Sequence, residues 1–362
     1  MQSERVGLYL KSYCKGLEVD GDFIATAYDR WRHNEAGRKN HWRVDREFGG
    51  KDNLIAEIAR DVRERTLSFP MLETAPRRDS GKTRDIGIES VKQQVCGYVV
   101  DLALDDLMAA RIGFWQVSVK GKSQFRAARA ASRWMRRCRY HLHGDVRKCY
   151  DSIMCDVVMR ILSRYVRSAD ILYIAEAILA SYPGGHLMIG SYFSMRMAQL
   201  VMSFAYHHVE SLHKVRRGKH VKLVAHQIVY ADDIWLYGND KRGLKSAMRS
   251  LERYLRDELG LTIKPWKVCR SGEDEPSDVA GAVARPGRVT VRDKTFLKGR
   301  RALLRFQRKP NSLRLARRLA SYFGWWHNTD CVGFMHRNGV YAAMAAARRL
   351  VSKHDRRLAT CQ

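Results

Sequence analysis

No uninterrupted apolar stretch in this 362-residue sequence approaches the roughly 18–20 residues of a membrane span, and the N-terminus lacks the basic-then-apolar pattern of a signal peptide. These absences predict a cytoplasmic chain with no membrane partner. Cysteine occurs eight times, at positions 14, 96, 138, 149, 155, 269, 331 and 361, without any Cys-x-x-Cys pair or paired Cys/His cluster. That excludes the usual spacings of a zinc site or a disulfide framework and predicts reduced, mostly buried thiols. For His207-His208, ordinary surface or core histidines are favoured over a metal pair, because neighbours on a helix point in different directions. Internal repeats and low-complexity linkers are missing too, which argues against a separable extra domain.

Acidic residues are scarce beside basic ones. Thirty-eight Asp and Glu against sixty-six Lys and Arg give a formal charge of +28 and a pI near 10.1. This exceeds what solubility requires, and a polyanionic partner, nucleic acid first, is the economical explanation. An acidic membrane surface is the alternative, but the positive charge is spread along the chain and not gathered on one amphipathic helix. At 45% apolar content and a mean hydropathy of −0.42, the chain has the make-up of a soluble globular protein able to bury a substantial core.

What is present concentrates in Tyr230-Ala231-Asp232-Asp233, where adjacent carboxylates sit between the apolar runs Ile228-Val229 and Ile234-Trp235-Leu236. The flanks read as strand, tight turn, strand, with Gly238-Asn239-Asp240 closing the far side. Side-by-side carboxylates repel and resist leaving water unless a cation neutralises them. Hard oxygen ligands suit Mg²⁺, and two such ions about 3.5–4 Å apart clamp the attacking and leaving oxygens of a phosphoryl displacement. A solvated Asp-Asp turn is the bland alternative. The chemistry needs a third carboxylate from elsewhere, and His143-Gly144-Asp145-Val146 supplies one after a short strand-like segment, with Tyr150 five residues on.

Taken in order, Asp145 with Tyr150, then Ile189-Gly190 with Ser194, then Tyr-Ala-Asp-Asp resembles the palm of reverse transcriptases. Upstream, Gly81-Lys82-Thr83-Arg84-Asp85-Ile86-Gly87-Ile88 and the apolar helical run to Leu104 resemble the fingers motif of bacterial members. Downstream, Leu259-Gly260-Leu261-Thr262-Ile263-Lys264 resembles the motif that carries a lysine near the incoming nucleotide. Val279 to Val283 with Val289-Thr290-Val291 is similar to a degenerate primer-grip hairpin. The resemblance implies an α+β, right-hand polymerase fold with fingers, a palm of antiparallel sheet packed on helices, and a helical thumb. Its expected divisions are 1–140 for the fingers with the start of the palm, 141–292 for the palm with the catalytic motifs, and 293–362 for the basic thumb.

Local patterns are read on the same scale. Residues 54–60 place apolar side chains on one helix face, residues 124–139 have helical spacing with interleaved arginines, and 156–182 form another helical stretch, broken at Pro183-Gly184-Gly185. A helix over 241–259 should end at Gly260. Residues 296–328 carry Arg300, Arg301, Arg305, Arg317 and Arg318 among other cations and no acid, a basic amphipathic pattern that favours counterion release from a template–primer duplex. In Tyr322-Phe323-Gly324-Trp325-Trp326, packing is favoured over base stacking.

The family pattern implies an RNA-directed DNA polymerase with catalytic Asp145, Asp232 and Asp233 and a metal set of Asp145, Val146, Asp232 and Asp233 holding two Mg²⁺, for which Mn²⁺ can substitute. Lys82, Arg84, Tyr150, Ile189, Gly190 and Lys264 would meet the dNTP, and Ser194, Tyr230 and the five thumb arginines the nucleic acid. A bulky Tyr150 under the sugar would clash with a ribose 2′-hydroxyl, so dNTP is the expected substrate. Lys264 could assist pyrophosphate departure as a general acid. Template RNA, nascent cDNA and dNTPs are the expected partners, with a small accessory protein or a dedicated non-coding RNA beside them.

Most reverse transcriptases have Gln-Gly where this chain has Ile189-Gly190. The isoleucine resembles enzymes of diversity-generating retroelements, which copy RNA with errors at adenines. Met195 after Ser194, and Gln199 in place of an asparagine, depart from that pattern. Abortive-infection, phage-defence and retron-like enzymes are the alternative. A nucleic-acid-binding scaffold that has lost the chemistry is the reading from another class.

Overall fold

The computed structural model describes residues 12–79 and 82–359. Three helices come first: α1 (Gly21–His33), α2 (Glu35–Phe48) and α3 (Lys51–Arg63). Asp20 caps α1 by accepting from the Phe23 amide at 2.8 Å, and Gly49, at φ +71°, turns the chain out of α2. The apolar face read in α3 is buried through Leu54, Ile55, Ile58 and Val62. The antiparallel pair β1 (Glu73–Asp79) and β2 (Lys82–Ile88) follows, then α4 (Val91–Ala103), capped by Ser90, and α5 (Asp105–Arg111).

α6 (Gln124–Met135) leads into β3 (Tyr140–Asp145) and the short α7 (Cys149–Ser152). The helical stretch expected over 156–182 divides into α8 (Cys155–Tyr165) and α9 (Ala169–Ala180). The interruption has a tertiary cause: Tyr13 donates its amide to Tyr165 O at 2.7 Å and accepts from the Arg167 amide at 2.9 Å, after which Ser168 Oγ caps the new helix. α10 (Tyr192–Ser211) runs into two successive hairpins, β4 (His213–Arg216) with β5 (Lys219–Lys222), and β6 (His226–Tyr230) with β7 (Asp233–Gly238). α11 (Lys241–Leu259) ends at Gly260, at φ +69°, as its sequence predicts.

The chain then forms β8 (Val268–Arg270), β9 (Ser277–Val279), β10 (Ala282–Arg285) and β11 (Arg288–Val291). It closes with α12 (Asp293–Arg308), α13 (Leu313–His327), α14 (Val332–Arg337) and α15 (Val340–Ala359). The basic amphipathic segment 296–328 spans two helices, because Pro310 cannot continue α12 and Ser312 starts α13 by accepting from the Leu315 amide. No helix among the described residues is long and apolar enough to cross a membrane.

Two compact units result. The first comprises residues up to Gln116, Asp145–Ser211 and Arg249–Lys264; the second comprises Val117–Gly144, Leu212–Met248 and the residues from Pro265 onward. In the second, a four-stranded sheet of order β6-β7-β3-β8 is joined by a three-stranded sheet of order β11-β10-β9. Tyr237 and Ser277 share a 2.6 Å hydrogen bond between the sheets, and Trp134 of α6 stacks on His226 at 4.4 Å. Leu303, Phe306, Leu319, Trp326, Met335 and Ala347 make the core of the terminal helices. Trp326 is buried there and Trp325 packs against that core, so the aromatic cluster does pack.

Candidate active site

In the second unit, the pairing of Tyr230 with Asp233 leaves Ala231 and Asp232 as a two-residue turn. Ala231 takes φ +51°, a left-handed conformation that costs a residue with a Cβ roughly 1–2 kcal/mol. The strands absorb that cost, since Ile228, Val229, Ile234, Trp235 and Leu236 are at most 1% exposed. His143, on the neighbouring β3, donates from Nε2 to Asp233 Oδ1 at 2.7 Å, and its ring stacks on Trp235 at 4.9 Å. Burial, and then the Asp233 charge, pushes the Tyr230 phenol upward. Arg292, held by Asp278, has its guanidinium pushed up first by that hydrogen bond, with Asp233 adding to the field.

In the first unit, Asp145 and Lys264 are joined twice. The Lys264 amide donates to Asp145 O at 2.8 Å, and its ammonium lies 2.8 Å from both carboxylate oxygens, hydrogen-bonding Oδ2. A bridge between Val146 and Ile263 and a bond from the Arg147 amide to Thr262 O hold the two segments together. Asp145 Oδ1 is shielded from solvent and has no directed hydrogen bond. Beside the Lys264 ammonium at 2.8 Å, this oxygen keeps lone pairs that are chemically suited to a hard cation. Among the described residues, no three His, Cys, Asp or Glu side chains gather tightly enough to chelate a metal unaided. Mg²⁺ sites commonly use one or two carboxylates and complete the shell with water and substrate phosphate, so the donor set fits that ion.

The same unit holds most of the residues expected at the nucleotide. Gly190, at φ +105°, lies so close to β2 that a Cβ would stand 2.4 Å from Ile86 Cγ2 and 2.9 Å from Gly87 O. Only glycine fits there, and the neighbouring Ile189 carbonyl accepts from the Gly87 amide at 2.8 Å. Arg84 is exposed on β2 opposite Arg77. The Lys82 side chain, with Gly81, lies outside the described residues. Tyr150 is half-buried on α7, just after Lys148 in a left-handed conformation at φ +44°. Ser194 is fully buried and accepts from the Met188 amide at 3.2 Å, bracing the loop that presents Ile189 and Gly190.

Under that loop lies a buried carboxyl that sequence reading missed. Tyr182 donates to Glu89 Oε1 at 3.4 Å, and the Tyr182 and Ser191 hydroxyls are 2.7 Å apart. Burial raises Glu89 to about 7, against which its bonds with Ser191 and Tyr182 pull downward. His143 was also missed. Its two-residue offset from Asp145 marks one face of a strand, but nothing in the sequence tells that β7 lies alongside.

Arg300, Arg301 and Arg305 on α12, and Arg317 and Arg318 on α13, are all exposed; Arg317 pairs with Asp355 at 3.0 Å. All seven described cysteines are free thiols, five of them buried. A profile of the family described as Reverse transcriptase (RNA-dependent DNA polymerase) matches residues 75–281, more than half of the chain. No curated protein matches the chain.

Proposed function

We propose that this chain, which belongs to the reverse transcriptase family and is thereby an RNA-directed DNA polymerase of right-hand α+β fold, works by two-metal nucleotidyl transfer in a diversity-generating retroelement. The observation carrying the catalytic part is the His143–Asp233 contact between β3 and β7. Two residues after His143, β3 ends in Asp145, and the β6–β7 turn carries Asp232 and Asp233; in this reading the three carboxylates act together.

Asp145, Val146, Asp232 and Asp233 would hold Mg²⁺, or Mn²⁺ in its place; when bound, the ions lower the cost of ionising the primer 3′-hydroxyl and neutralise charge on the triphosphate. The chain's own residues orient these carboxylates. His143 fixes Asp233 from one side, and Lys264 supplies a compensating charge to Asp145. Arg84 and Lys82 take the phosphates, and Lys264 donates a proton as pyrophosphate departs. Tyr150 reads the sugar, while Ile189 and Gly190 border the nascent base pair. Tyr230 and the thumb arginines hold the template–primer duplex, and Ser194 acts through the loop it braces. In this reading residues 1–140, 141–292 and 293–362 serve as fingers, palm and thumb, and an accessory protein or dedicated RNA completes the system.

Ile189 supports error-prone copying because its side chain offers no hydrogen bond where most family members place glutamine. Antiphage defence is the competing role. Extension of a DNA primer on poly(rA) and mixed RNA templates, with dNTP against rNTP and product sequencing, tests the whole reading. Mg²⁺-dependent dNTP extension with errors concentrated at template adenines is expected. Extension with uniformly low error would move the assignment to defence, and an Asp145→Ala protein that keeps its biological activity would favour the scaffold.

A further inference from the structure

The β4–β5 hairpin has no part in the site just described. Residues 212–225 contain Lys214, Arg216, Arg217, Lys219 and Lys222 and not one acid. Both strands are solvent-exposed over most of their length, and even Val215 and Val221 stand 67% and 41% exposed. The ribbon is therefore not held by a hydrophobic face. Its anchors include its own ladder, the Leu223 amide donating to Leu212 O at 3.0 Å, the Ala225 amide donating to Tyr237 O at 2.9 Å, and an ion pair between Lys214 and Asp240 at its base.

Two features set this ribbon apart from a merely solvated turn. Arg216 lies directly across from Lys219, and like charges in opposed positions destabilise a strand pair. Arg217 occupies the turn at φ +50°, a conformation that favours Gly, Asn or Asp, and Gly218 follows at φ +73°. A solvated hairpin would gain from an acid opposite the cations and an asparagine in the turn. Both unfavourable choices place cations at the tip, where a polyanion would offset their mutual repulsion.

We propose that the β4–β5 hairpin is a docking site for double-stranded RNA, gripping the phosphates of a folded stem in the template RNA apart from the catalytic turn. Arg216 and Lys219 extend from one face of the ribbon and Lys222 from the other, because cross-strand partners share a face. The hairpin carries no Phe, Tyr or Trp, and its two rings, His213 and His220, meet edge to face at 6.4 Å, so it has no row of large aromatics along which single-stranded bases would stack, which favours duplex over single strand. Asp240 follows the end of β7 opposite Asp233, so the anchored base lies roughly one strand length, about 17–20 Å, from the catalytic turn. The proposal rests on the family assignment only in taking RNA as the polyanion.

The test compares wild type with Arg216→Gln/Arg217→Asn/Lys219→Gln/Lys222→Gln. Binding of a fluorescent 20-base-pair RNA stem-loop and of single-stranded poly(rA) is measured from about 50 to 200 mM salt. For the stem-loop we expect at least a roughly tenfold loss of affinity and a log–log salt slope shallower by about 3–4, from four lost phosphate contacts. Poly(rA) binding and oligo(dT)-primed extension on poly(rA) should be unchanged. Arg217→Asn alone should weaken stem-loop binding while raising the melting temperature, a combination that a purely structural arginine would not give. Unchanged stem-loop affinity and slope in both variants would overturn the proposal, as would an equal loss on poly(rA). Failure of the wild type to extend any primer would count against the polymerase reading and leave this binding comparison standing.

Discussion

The β4–β5 and β6–β7 hairpins follow one another in the chain, and each turns through two residues with a non-glycine in the left-handed region, Arg217 in one and Ala231 in the other. Their strands could hardly be less alike: β6 and β7 are buried through their centres, whereas β4 and β5 lie in water. Even the turns differ, since Arg217 is followed by Gly218 at φ +73° whereas Asp232, after Ala231, is not in the left-handed region. A buried frame can hold repelling carboxylates at a fixed place, because moving them would disturb packed side chains on both strands. An exposed ribbon cannot fix its cations so firmly, and their repulsion is relieved from outside.

The largest effect should come from the buried hairpin. Asp232→Ala/Asp233→Ala is expected to lower primer extension by on the order of 10³-fold or more, as loss of metal-borne charge stabilisation costs several kcal/mol. Stem-loop RNA binding should stay within about threefold of wild type, the reverse of the outcome for the β4–β5 variant. Equal damage to both readouts would show that the two hairpins do not divide the work as described.

Next is a pH effect at Glu89. Its folded pKa of about 7 lies above the ordinary value of 4.5, so the folded protein holds a proton that the unfolded chain releases. The sign follows: this contribution is full below about pH 4.5 and is lost as pH rises toward 7, amounting to at most about 3 kcal/mol. Urea melts at pH 5 and pH 8 should show Glu89→Gln with a flatter pH dependence than wild type, and relatively more stable at pH 8. A parallel dependence in the two proteins would remove Glu89 as its source.

Gly190→Ala should cost about 1–3 kcal/mol, because the new methyl meets Ile86 and the Gly87 carbonyl. It should also impair extension, as a rise in the dNTP KM, by moving Ile189. The smallest effect belongs to Ala231→Gly, which relieves the left-handed conformation and should change stability by no more than about 1 kcal/mol in the favourable direction. A larger gain would mean that the turn stores more strain than its conformation suggests.

Much of the architecture was readable in advance. Helices α3 and α11 announce themselves by apolar period, and Gly260 marks the end of α11, because local propensity and core-facing pattern agree there. The β6–β7 hairpin is legible for the same reason. The division of 156–182 into two helices was not, since it depends on Tyr13 pairing with a segment some 150 residues away. Ser194, expected at the nucleic acid, is fully buried and accepts from the Met188 amide, a placement set by the fold of the 187–191 loop.

The order of motifs, the carboxylates and the basic charge are properties of the chain, so the family, the chemistry and a polyanionic partner could be read before any folding. His143 against Asp233, Lys264 against Asp145, Glu89 beneath the Ile189 loop and Arg216 across from Lys219 are pairings, three of them between residues 90 or more positions apart. Strand register and packing decide which side chains meet, and periodicity in one segment carries no information about the register of another.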